Sequence, residues 1–127
     1  FSISHSSNLA MVAICSIPIG IDLEEFEAKR HHRLKFEMMN NNEIKLFEKS
    51  SETRDINRIW VLKEAIQKAA HLGMSLRMQS IPILLENKTL SEIGCVFVRE
   101  IDSYFKIQSW EENDFIVGLA VKLPNPI

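Results

Sequence analysis

Apolar and polar positions divide the chain into strand-like ends and a helical middle. Phe1 to Ser6 alternates, and Ser6-Ser7-Asn8 reads as a turn. Leu9 to Ile17 is a continuous apolar run, which suits a buried strand. Pro18 breaks it and Ile19 to Glu24 resumes alternation, so a hairpin with its turn at Ser16 to Pro18 is expected. From Glu25 the pattern turns helical, with Phe26, Leu34, Phe36 and Met39 among charges, until Asn40-Asn41-Asn42 stops it. Glu43 to Lys49 reads as a short helix with Ile44 and Phe47 on its apolar side.

The strongest helical signal covers residues 55–72, where Ile59, Leu62, Ile66 and Ala70 recur at three and four residues. Thr53 or Asp55 is its candidate N-cap and Gly73 its C-terminal stop. Strand-like runs follow at Ile81 to Leu85, Gly94 to Glu100, Tyr104 to Trp110 and Phe115 to Leu123. Glu111 to Asp114 forms the turn between the last two. The fold class expected is α+β, with antiparallel strands at both ends and the long helix lying on the sheet.

Composition narrows the classes. A chain of 127 residues suits a single domain with a real core and no disulfide staples. Lys and Arg number 15 against 17 Asp and Glu, so the net charge of -2 argues against a nucleic-acid binder. No apolar run reaches the length of a membrane span, and no signal peptide is visible, so a cytoplasmic protein without membrane partners is expected. Cys15 and Cys95 have no metal or redox spacing and sit in apolar runs, which predicts buried, reduced thiols. The chain opens at Phe1 inside a strand-like stretch, and upstream residues are expected to be missing.

Three short stretches carry candidate chemistry. In Gly20-Ile-Asp-Leu-Glu24, strand alternation turns Ile19, Ile21 and Leu23 one way and Gly20, Asp22 and Glu24 the other. Asp22 and Glu24 then stand about 7 Å apart along the strand. Such a pair suits magnesium, which binds through one or two carboxylates with waters and substrate phosphates. In isolation a solvated strand face is the plainer reading. In Trp60-Val-Leu-Lys63-Glu64-Ala-Ile-Gln-Lys68, Glu64 and Lys68 are one helical turn apart, opposite the apolar stripe. That spacing also describes an ordinary surface ion pair. In Ser2-Ile-Ser4-His5-Ser6, a histidine among hydroxyls can present donors to phosphate, or can simply be exposed at a strand end. No histidine spacing suggests zinc.

Taken in order, SISHS, GIDLE and WVLKEAIQK resemble the 4′-phosphopantetheinyl transferase superfamily. The resemblance is to the second half of the larger, two-lobed class. In the short class the SxSH-like motif falls near the end, whereas here it comes first. Motifs carry the resemblance over residues 1–73, and strand pattern carries the rest.

The resemblance implies a single transferase lobe over residues 1–127, lacking an N-terminal lobe or completed by a second copy in a homo-oligomer. It implies transfer of 4′-phosphopantetheine from coenzyme A to a serine of an acyl or peptidyl carrier protein, releasing adenosine 3′,5′-bisphosphate. Asp22, Glu24 and Glu64 match the family's metal carboxylates, for magnesium or manganese, and Glu64 is the candidate base against a water. Ser4, His5 and Lys68 match residues that meet coenzyme A phosphates. Lys63 is placed with them less directly, and Trp60 matches an aromatic that anchors the helix. The basic run Lys29 to Arg33 suits either an acidic carrier protein or a solvated helix face. The alternatives are a lobe that binds coenzyme A or carrier protein without transferring, and a structural half whose motifs are relics.

Overall fold

The computed structural model describes residues 1–6, 9–25, 39–50, 53–71, 75–83 and 94–124. Strands β1 (Ser2–Ser6), β2 (Leu9–Ala13) and β3 (Ile19–Glu25) come first. Helices α1 (Asn41–Ser50) and α2 (Thr53–Ala70) follow, then β4 (Gly94–Val98), β5 (Ser103–Glu112) and β6 (Phe115–Lys122). One antiparallel sheet has the order β3-β6-β5-β4, and β1 and β2 pair separately. The α+β class, with the long helix on an antiparallel sheet, is the fold observed.

Helix α2 forms because its apolar spacing offers a wide face to bury. Ile59, Leu62, Ala65, Ile66 and Ala69 pack on Val96, Val98, Phe105, Ile107 and Ala120 of the sheet. The helix ends as His71 takes a left-handed φ of 59° and its N–H bonds back to the Lys68 carbonyl. The expected stop, Gly73, lies outside the described residues.

The helix lies unusually close to β3 and β6 because two glycines permit it. A Cβ at Gly20 would collide with the Ala65 carbonyl, and one at Gly118 would come within 2.6 Å of Val61 backbone atoms. Asp22 pairs with Gly118 in register, so this close approach lies directly beside the acidic strand.

The opposite face of the sheet carries a smaller cluster. Ile21, Leu23 and Val117 pack there against Leu9, Met11 and Ala13 of β2, with Trp110, Phe115 and Leu119. Both faces of β3 are therefore covered, and the solvated-face reading of Asp22 does not hold: Asp22 is buried.

Several expectations are corrected. The hairpin is β1–β2, with Ile3 opposite Val12, and β3 pairs instead with β6. The run from Leu9 is not a buried strand: β2 alternates between half-buried and exposed, and Ile14 is 83% exposed. Both cysteines are exposed, because Cys95 takes an outward position between Gly94 and the buried Val96, and Cys15 follows the end of β2. Ile81 and Ile83 are buried but form no strand, and Leu85 lies outside the described residues. Asn40 opens α1 as much as it stops anything upstream. Its Oδ1 accepts the Glu43 N–H at 2.9 Å while Glu43 Oε1 accepts its own N–H at 3.0 Å, a reciprocal cap. Phe26 to Met38, with Lys29 to Arg33, lie outside the described residues.

Candidate active site

Strand β3 is an edge of the four-stranded sheet, so one row of its N–H groups needs partners. The serines of β1 supply them. Ser2 Oγ accepts the Ile21 N–H and Ser4 Oγ accepts the Leu23 N–H, both at 3.0 Å. Ser4 also donates to Asp22 Oδ1 at 3.3 Å. Alternation sends Ser2 and Ser4 inward to β3 and leaves His5 exposed on the other side. The structure thus separates Ser4 from His5 and gives Ser4 a role in seating Asp22. Ser2 was not singled out from sequence, although its alternation with Ser4 was visible.

Lys68 reaches β3 from α2. Its Nζ donates to the Ile21 carbonyl at 2.8 Å, to the Ile3 carbonyl at 3.3 Å and to Asp22 Oδ1 at 3.4 Å. One ammonium thus ties β1, β3 and the helix together next to the carboxylate. Trp60 Nε1 lies 3.4 Å from Glu24 Oε1, so the indole of α2 donates to the second acid of the strand.

The carboxylates share an electrostatic neighbourhood. Burial and then the charge of Glu24 push Asp22 up to about 6, against the pull of Lys68 and Ser4. Burial and then the charge of Asp22 push Glu64 up to about 7, with Glu24 adding to it and Lys68 opposing. Asp22 Oδ2 is buried and has no hydrogen-bond partner. An orphaned carboxylate oxygen beside two more acids fits a hard cation, which would lower both values. Among the described residues, however, no three acidic, histidine or cysteine side chains already stand in metal-holding geometry. The donor set fits the ion, with Lys68 currently serving as counter-charge.

Lys63 is elsewhere. It is fully buried, and its Nζ donates to Glu43 Oε1 at 2.7 Å and to the Met78 carbonyl at 2.8 Å. The expectation that it meets coenzyme A phosphates is therefore corrected. Lys63 and Glu64 are successive residues, about 100° apart around the helix, so only one of them can face the acidic strand. Burial holds the Lys63 amine below the ordinary lysine value, and Glu43 opposes that.

The family model for the 4′-phosphopantetheinyl transferase superfamily matches residues 18–120, from just before β3 to near the end of β6. The chain belongs to that superfamily. A 4′-phosphopantetheinyl transferase of Bacillus subtilis is 30% identical over 93 residues. That match takes in 68% of this chain and 40% of the relative, so the chain spans less than half the relative's length. A solved structure of Helicobacter pylori holo-acyl-carrier-protein synthase in complex with coenzyme A superposes with a TM-score of 0.61 at 21% identity. It covers 83% of this chain and 99% of the synthase, and it shows that the two share a fold. No helix among the described residues is long and apolar enough to cross a membrane.

Proposed function

We propose that this phosphopantetheinyl transferase lobe moves 4′-phosphopantetheine from coenzyme A to a serine hydroxyl of an acyl or peptidyl carrier protein. The observation that carries the reading is the buried Asp22 on β3, its Oδ2 without a partner, close enough to Glu24 and Glu64 for their charges to act on one another. Three acids held in one neighbourhood have a use once a divalent cation and a diphosphate arrive.

Asp22, Glu24 and Glu64 would hold magnesium, with manganese able to use the same oxygens. The ion, when bound, supplies charge neutralisation for the diphosphate. The serine oxygen attacks the phosphorus that carries pantetheine, and the bond from that phosphorus to the bridging oxygen breaks. Adenosine 3′,5′-bisphosphate leaves with the bond's electron pair. Glu64 is the candidate to take the serine proton, a role that holding the cation weakens by lowering its affinity for protons, and a water is the rival. Lys68, partly exposed beside Asp22, is the candidate to meet the diphosphate's charge. His5, exposed at the end of β1, is the second candidate phosphate contact. Phosphoryl transfer depends mainly on such positioning and charge compensation. The proposed location is the cytoplasm.

The cleft needs a second wall. The outer side of β1–β2 exposes Phe1, Ile3, Val12 and Ile14, each at least half accessible. A second transferase lobe, from the same chain or from another copy, is proposed to complete the site. Two observations favour the alternative of a lobe that binds without transferring: Lys68 already bonds Asp22, and no three-ligand cluster is preformed among the described residues.

The test mixes the chain with coenzyme A, magnesium and an apo-carrier protein, and weighs the carrier. Addition of one phosphopantetheine group supports the reading. No addition by this chain or by one extended at its N-terminus overturns it.

A further inference from the structure

Beneath α2, on the side away from the acids, lies a buried ion pair that the proposed chemistry does not use. Glu43 and Lys63 are 1% and 0% exposed in their side chains and 2.7 Å apart. Lys63 Nζ also donates to the Met78 carbonyl. Glu43 Oε1 accepts the Asn40 N–H, and Oε2 accepts the Ile83 N–H at 3.0 Å. Gln67, one turn along the helix from Lys63, donates to the Leu76 carbonyl at 2.7 Å. Three pieces of chain thus meet at one pair of charges: the start of α1, the stretch 76–83, and the middle of α2.

A buried ion pair contributes little net stability compared with apolar side chains of the same volume, because desolvating two charges offsets their attraction. What this one supplies is direction. Lys63 is the residue before Glu64, so holding its amine at two acceptors restrains the rotation of that helical turn. The glycine contacts at Val61 and Ala65 set how near the helix comes to β3 and β6. Lys68 and Trp60 fasten the helix to the strands on the acidic side, and the pair fastens it on the far side, so its rotation is held from both.

We infer that Glu43 and Lys63 are positioning residues for Glu64, holding α2 at the rotation that aims its carboxylate at Asp22 and Glu24. The inference rests on the transferase reading above. Neither residue touches substrate; both act through the helix.

The test replaces both charges together, Glu43→Leu with Lys63→Met, so that no lone charge is left buried. The double variant is expected to stay folded with a lowered melting temperature, because Glu43 also accepts the Asn40 and Ile83 N–H groups. Its kcat should fall by about tenfold or more, since a misplacement on the order of 1 Å is enough to do so. Its KM for coenzyme A should hardly change. Manganese affinity, titrated with coenzyme A present, should weaken by about tenfold, the scale expected for a lost supporting contact. If the double variant does not fold, Glu43→Gln, which keeps the shape and one acceptor oxygen, carries the same expectations. Wild-type kcat and manganese affinity per folded molecule, with only a lowered melting temperature, would overturn the inference. A parent chain that neither binds manganese nor transfers, alone or extended at its N-terminus, would overturn the transferase reading and the inference with it.

Discussion

Asp22 and Glu64 hold their protons more tightly in the folded chain than in the unfolded one. Their ordinary values are 3.8 and 4.5, and the fold moves them up to about 6 and about 7. Between those limits the native state binds more protons than the unfolded state, so stability falls as pH rises. The metal-free chain should therefore melt at progressively lower temperature from about pH 4 to about pH 7, then level off, as thermal scans across that range would record. For Asp22 alone the effect is on the order of 2–3 kcal/mol. Glu64→Gln removes one of the converging charges; it should flatten the slope and raise the melting temperature at pH 8 while abolishing transfer. Magnesium at pH 8 should raise the parent's melting temperature and leave Glu64→Gln nearly unmoved. Ser4 contributes differently, through the edge of β3. Ser4→Ala strands the Leu23 N–H and removes a donor from Asp22, so a loss of about 1–3 kcal/mol is expected in chemical denaturation.

Between elements, the contact that matters is α2 on β3. Gly20→Ala would drive a methyl group into the Ala65 carbonyl and push the helix away from the acidic strand. The expected cost is about 1–3 kcal/mol or more, read by denaturation, together with loss of transfer beyond what the folded fraction explains. Much of this contact was legible in the sequence. The spacing of Ile59, Leu62 and Ile66 marked the helix, alternation marked β3, and the order of the three motifs brought Asp22, Glu24, Glu64 and Lys68 together. The rest depended on partners that a linear pattern does not name. Gly20 gives no sign of what lies against it. The run from Leu9 looked buried because periodicity records polarity, not coverage, and its far side has nothing packed on it among the described residues. Lys63 joins the phosphate contacts in the sequence reading through its match to the first residue of the KEA motif; its partner in the structure, Glu43, is 20 residues away. One local signal did exist, the Asn40–Glu43 spacing of a reciprocal helix cap, which marks Glu43 as a residue turned back toward the start of its helix.

At the scale of the molecule, the match to the Bacillus subtilis relative takes in 40% of that protein, while the Helicobacter pylori structure is covered almost entirely. The two proteins similar to this chain thus differ in length, and the stripe of Phe1, Ile3, Val12 and Ile14 is exposed. Light scattering coupled to the transfer assay should find either a homo-oligomer that is active, or a monomer that gains activity on N-terminal extension. A fully active monomer would contradict this part of the account. The central claim is that Asp22, Glu24 and Glu64 form one cation site facing coenzyme A. A crystal structure with manganese and coenzyme A, read by the anomalous signal of manganese, tests it most directly. The account predicts a peak bonded to those three carboxylates, with Lys68 moved from Asp22 to the diphosphate. Manganese bound elsewhere, or Lys68 still on Asp22 with coenzyme A in place, would contradict it.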